Sequence, residues 1–199
     1  MSLKYALLGF LTTEPASGYQ IAQEFGDSMG WFWYASHSQI HPELQRLAAR
    51  GLVTSEVSDT DGRGTRVYSI TPAGEAELKE WLAAETEYPP VRDPERIRLI
   101  FADMIVPADI RAHLEQHRKH HEALLDGYLA QLREVLRGTF PRLRKRLAAR
   151  PRQSHQLVAG LKVLALQGNV DRARSEIAWA EDALLWLNSI EAAERADGC

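Results

Sequence analysis

The chain has 199 residues, with 24 Lys and Arg against 27 Asp and Glu, a formal net charge of −3 and a hydrophobic content of 45%. That size and balance fit one or two soluble globular domains. No apolar run approaches the roughly 20 residues that span a bilayer, and the N-terminal segment has none of the basic region or cleavage site of a secretory leader. The one cysteine, Cys199, excludes a disulfide framework or a cysteine-ligated zinc, and a cytoplasmic setting is expected.

In chain order, residues 3–13 are mostly apolar and end at Pro15, which predicts a buried first helix. Ser17-Gly18 opens a second helix, Tyr19 to Phe25, stopped by Gly26. Residues 28–34, Ser-Met-Gly-Trp-Phe-Trp-Tyr, read as an aromatic connector. Residues 36–53 then form an amphipathic helix with a polar front end. Ile40, Leu44 and Leu47 recur at helical spacing and face a core, while Ser36, Ser38, Gln39 and His41 cluster at the start. Gly51 closes this helix as a left-handed cap. Residues 52–57 and 65–70 are strand-like, joined by the hairpin loop Ser-Asp-Thr-Asp-Gly-Arg-Gly. Thr71, Pro72 and Glu75 mark a fourth helix by N-cap, first-turn proline and dipole compensation. A polar-tipped helix followed at once by a hairpin is the layout of a winged helix, whose helix tip enters a DNA groove.

Pro89, Pro90 and Pro94 make residues 86–94 a linker. Beyond it, long helical patterns run over about 108–137 and 154–194. Two such helices cannot bury their apolar faces on one small winged helix, so a coiled-coil-like dimer arm is expected. The fold class is therefore mainly α with a small β component: a winged helix-turn-helix at 1–85, and a helical dimerisation region at 95–195. The charge divides unevenly. Residues 1–86 hold 6 Lys and Arg against 11 Asp and Glu, a balance of −5, and residues 87–199 hold 18 against 16, a balance of +2. DNA binding by the first part requires its few cations to gather on one face.

The residues that carry a family resemblance are now in view. They are Leu7-Leu8-Gly9-Phe10-Leu11, Ser17-Gly18-Tyr19-Gln20-Ile21, Trp33 to Leu44, Arg46-Leu47, Gly51-Leu52-Val53, Tyr68 and Thr71-Pro72-Ala73-Gly74. Dense and in order over about 75 residues, they make the chain resemble the PadR family of bacterial transcriptional regulators. The helix pattern with Trp179 and Trp186 resembles the branch with a long Vir-type C-terminal region. The resemblance implies a dimeric winged-helix DNA-binding protein, generally a repressor, whose C-terminal region dimerises. Some relatives respond to small molecules such as phenolic acids. One position departs: the family usually has tyrosine where this chain has His41.

The expected DNA contacts are Ser36 and Ser38 to phosphate, Gln39 to adenine, and His41 to a base edge or phosphate. Arg46 and Lys4 are expected on phosphates, and Arg63 and Arg66 in the wing. Trp31 and Trp33, with Trp81, Trp179 and Trp186 at a dimer-interface cavity, are candidates for a hydrophobic or aromatic effector, against the alternative of ordinary core packing. His113, His117 and His121 recur every four residues, a spacing that can share zinc, but a solvated polar face explains them as well. The basic run Arg142 to Arg152 reads as a solvated loop and short helix. No metal or cofactor is expected. With no phosphate-cradling glycine loop or nucleophile elbow, neither is catalysis or a membrane partner. The rival readings are a helical protein-interaction module and a small-molecule binder that does not bind DNA.

Overall fold

The computed structural model describes residues 3–25, 37–58, 65–86, 88, 90 and 92–197, apart from the side chains of residues 37, 58 and 194–197. Its contacts divide into two compact units, Met1–Glu87 and Tyr88–Cys199.

The N-terminal unit runs α1 (Leu3–Leu11), β1 (Ala16–Ser17), α2 (Gly18–Glu24), α3 (His37–Ala49), β2 (Val53–Ser58), β3 (Thr65–Ile70) and α4 (Pro72–Ala83). Its three strands are antiparallel in the order β1-β3-β2, with Ala16 opposite Tyr68 and Val53 opposite Ile70. Strand β1 was not foreseen: two residues carry no period of their own, and only pairing with β3 makes them a strand. Ser17 ends β1 and caps α2. Its Oγ accepts from the Gln20 amide at 3.2 Å, and the Gln20 side chain accepts from the Ser17 amide at 2.8 Å. This reciprocal box satisfies two otherwise orphaned donors.

The apolar positions close one core. Leu7 and Leu8 of α1, Ile21 of α2, and Ile40, Leu44 and Leu47 of α3 are all fully buried. Helix α3 stops as its sequence requires. Gly51 takes φ +69°, its amide donates to Ala48, and the Leu52 amide donates to Leu47, both at 3.0 Å. That is the doubly bonded left-handed cap. The chain then locks onto α4. The Thr71 amide donates to the Leu52 carbonyl at 3.1 Å, and the Thr71 hydroxyl donates to the Gly51 carbonyl at 2.8 Å. The same hydroxyl accepts from the Gly74 amide as the helix cap. Gly74 lies so close that a β-carbon there would sit 2.1 Å from the Leu52 carbonyl oxygen. The Thr-Pro-Ala-Gly motif therefore works as a clamp as well as a helix start.

The helical unit contains α5 (Pro94–Ile100), α6 (Pro107–Arg137), α7 (Pro141–Ala148) and α8 (His155–Asp197), with 3-10 turns at Ala102–Met104 and Arg152–Ser154. Helix α5 falls partly in the expected linker. Asp93 caps it by accepting from the Arg96 amide at 3.0 Å, and Pro94 sits in its first turn. The expectation of two long helices without partners needs correction, because α6 and α8 pack on each other along the unit. Arg111 meets Glu191 at 2.8 Å, and further along α6 His117 meets Glu176 at 3.2 Å, so the two run antiparallel. Leu166, Val170 and Ala180 of α8 are enclosed, while Leu157, Leu161 and Leu164 remain exposed. Helix α8 thus has apolar residues on more than one face, and α6 covers only part of them. Among the described residues no helix is long and apolar enough to cross a membrane.

Candidate nucleic-acid interface

Three buried residues of α3 fix which face looks outward. With Ile40, Leu44 and Leu47 inside, geometry leaves Ser38, Gln39, His41, Gln45 and Arg46 exposed on the opposite side. Four of these were expected contacts. Gln45, which was not, lies one turn beyond His41 and extends the same polar face. Helical spacing from His41 alone could have found it. Pro42 inside α3 withholds one helical hydrogen bond from the carbonyl of residue 38.

Beside this face is a cleft of about 360 Å3, lined by Ser17, Gly18, Tyr19, His41, Arg66 and Tyr68 together with Thr65. It joins the start of α2, the front of α3 and the middle strand of the sheet. His41 stands over Gly18, where a β-carbon would meet its Nδ1 at 3.7 Å. Tyr19 is 68% exposed at the cleft edge and was not among the expected contacts. The Tyr68 hydroxyl is buried without a hydrogen-bond partner among the described residues. A cavity with hydroxyl, imidazole and guanidinium groups at its walls suits an anionic oxygen.

Most of the described cations of this unit are paired with acids. Lys4 bonds Glu77 across α1 and α4 and lies 4.2 Å from the Tyr5 ring, so it is held by the fold and not presented to a partner. Burial alone would lower the Lys4 value, yet the bond to Glu77 raises it above 10.5. The same bond holds Glu77 below the usual carboxylate range. Arg50 also reaches Glu77, at 3.1 Å, Arg46 pairs with Glu43, and Lys79 lies 3.5 Å from Glu75. Arg66 makes no ion pair with the described residues, and it is the cation that lines the cleft. Ser36 and Arg63 lie outside the described residues.

The described tryptophans have different surroundings within their own units. Trp81 stacks on Tyr5 at 4.3 Å, nearly parallel, within the N-terminal unit. Trp179, in the helical unit, has the Arg96 guanidinium 3.8 Å from its ring centre and the His117 ring at its edge. The cavity beside Trp179 is about 20 Å3, room for about one water. Trp186 is 63% exposed. Trp31 and Trp33 lie outside the described residues. The histidine stripe is not a solvated face throughout, since the His117 side chain is only 8% exposed. Burial, and then the neighbouring His117, lowers His121 below 6.5. Burial beside Arg142 and Arg146 brings the Lys162 ammonium of the basic region down to about 8.

Three helices packed as in a helix-turn-helix, a two-stranded wing, and an outward polar face on the third helix define a winged helix-turn-helix transcriptional regulator. The transcriptional regulator PadR-like family model matches residues 7–80, and the virulence activator alpha C-term model matches residues 91–188. The negative transcriptional regulator PadR of Bacillus subtilis is 27% identical over 191 residues, 94% of this chain and 97% of that protein. Its crystal structure in complex with operator DNA superposes with a TM-score of 0.71 at 26% identity, over 94% of this chain and 99% of that one. The Vibrio cholerae virulence activator AphA superposes at 0.68 with 31% identity, over 95% and 99% of the two chains. The chain belongs to the PadR-like family of transcriptional regulators.

Proposed function

We propose that this regulator is a dimeric DNA-binding repressor that reads a pseudo-palindromic operator and is released from it by a small-molecule effector. The observation that carries the DNA reading is the outward polar face of α3 beside a cleft holding His41 and the unpaired Arg66. Gln39 and Gln45 reach base edges, where a glutamine pairs bidentately with adenine. Ser36, Ser38 and His41 take phosphates at the helix front, with Tyr19 at the cleft edge, and Arg63 and Arg66 serve the wing. Arg46 is exposed and can exchange Glu43 for phosphate, whereas Lys4 is kept in the fold by Glu77.

Dimerisation through the helical region is supported by the exposed row Leu157, Leu161 and Leu164 on a helix whose other face is already covered. A two-fold axis would then place the two α3 helices in successive major grooves, about 34 Å apart. The effector reading is supported by the structure of Bacillus subtilis PadR in complex with p-coumaric acid, which superposes at a TM-score of 0.69 with 25% identity, over 94% of this chain and 95% of that one. Here a phenolic acid would have to open the space beside Trp179, because the present cavity holds only about one water.

Titration of labelled DNA from the region upstream of the coding sequence tests the mechanism. Gln39→Ala should cost about 1–3 kcal/mol and relax preference at one base pair. Arg66→Ala should weaken binding to all sequences and reduce the salt slope by about 1 per protomer. No binding at low salt, or binding indifferent to both changes, would overturn it. A second reading, activation, is favoured by the likeness to the AphA virulence activator. A transcription assay on the bound promoter separates the two by the sign of its response.

A further inference from the structure

Outside the α3 face, the strongest group of metal-ligating side chains lies in the helical unit. We propose that His117, His121 and Glu176 bind a first-row transition dication of the zinc type, which takes Glu176 from Arg96. His117 and His121 are one turn apart on α6, and Glu176 approaches from α8. One ligand atom from each residue lies within 4.8 Å of the other two. The His117 Nε2 and Glu176 carboxylate are already 3.2 Å apart, and the two imidazoles are 4.4 Å between ring centres. A tetrahedral zinc with bonds of 2.0–2.2 Å holds its ligand atoms about 3.4 Å apart. Closing that gap takes side-chain rotation and no movement of either helix.

The donor set selects the ion. Two imidazoles and one carboxylate, with a fourth position for water, suit zinc and its first-row neighbours. Calcium and magnesium prefer all-oxygen shells. The three ligands are partly buried between α6 and α8, and His117 packs against Trp179, which limits competition from solvent.

Arg96 is the competitor. Its guanidinium donates to Glu176 at 2.6 Å and covers the Trp179 ring. Arg96 and His117 both already contact the Glu176 carboxylate. A dication attracts that carboxylate more strongly than a guanidinium does. Arg96 has a second acid to retain, Asp93, at 3.5 Å. Loading therefore exchanges the Arg96–Glu176 link between α5 and α8 for a metal link between α6 and α8.

The test uses the full chain without an affinity tag and cobalt(II) alone as probe, followed by zinc. Visible ligand-field absorption should saturate at one cobalt per chain and be bleached by zinc, and zinc should raise the melting temperature. His117 packs on Trp179, so its replacement confuses binding with folding. His121→Ala and Glu176→Gln are the informative variants. Each should weaken binding by more than about 100-fold, beyond the loss typical of an outer-shell partner. Arg96→Ala, with the competitor removed, should bind more tightly than the unaltered chain. No absorption with excess cobalt, or absorption that survives His121→Ala, overturns the site. An Arg96→Ala variant that binds no more tightly overturns the exchange.

Discussion

The two units solve the problem of burial differently. In the N-terminal unit, α3 contributes a single apolar stripe, α1 has no exposed residue, and both converge with α2 on one enclosed core. In the helical unit, α8 is apolar on more than one side. Leu166, Val170 and Ala180 are enclosed, while Leu157, Leu161 and Leu164 meet solvent. A helix with one apolar stripe needs one neighbour, and a helix apolar around more of its circumference needs several. The described core of the N-terminal unit closes within one copy, whereas the helical unit leaves a row of leucines uncovered.

Three measurements can break or sharpen that contrast. Leu44→Ala removes a fully enclosed side chain of α3. It should cost about 2–5 kcal/mol in urea unfolding, and a cost below 1 kcal/mol would mean the core is looser than its burial implies. The alkaline response should separate the units next. Lys162 titrates at about 8 in the fold against an ordinary 10.5. Its charged form is therefore disfavoured in the native state, and stability should rise as pH climbs from about 8 to 10.5. The gain should be on the order of 3 kcal/mol and disappear in Lys162→Met. The Lys4–Glu77 pair behaves oppositely. Its lysine is raised and its carboxylate lowered, so its contribution is intact between about pH 4.5 and 10.5 and is lost beyond both ends. Alkaline stabilisation should therefore be confined to probes in the helical unit. The smallest expected effect is on association. Leu161→Glu should leave helix content unchanged and weaken the dimer at least tenfold in sedimentation, about 1.4 kcal/mol. A chain that sediments as a monomer before the change would remove the proposed dimer arm altogether.

Much of the N-terminal unit was legible because its signals are local. Gly51 stops α3, Thr71 caps α4, and Ile40, Leu44 and Leu47 assign the inner face, each from spacing within a few residues. The omissions have the opposite character. Strand β1, the Lys4–Glu77 bond and the α6–α8 seam join residues far apart in the chain, and no local pattern encodes them. Polar residues were hardest to place. Six cations in an acidic segment gave no indication that Lys4, Arg46, Arg50 and Lys79 would each meet an acid while Arg66 faced the cleft. Gln45 was within reach, one helical turn from His41, and so was Tyr19, which belongs to the Ser17-Gly18-Tyr19 motif.

The carbonyl of Leu52 has a mechanical consequence. It receives the Thr71 amide and presses against Gly74, so the turn leaving α3 and the first turn of α4 form one solid joint. The reading helix cannot roll about its own axis without dragging α4 along. In the proposed dimer, a signal that alters DNA affinity would carry the whole winged module as a rigid tool head, changing the distance between two copies while the grip of each stays the same. Gearing of this kind would turn the proposed chemical stimulus into a change of stride along the double helix.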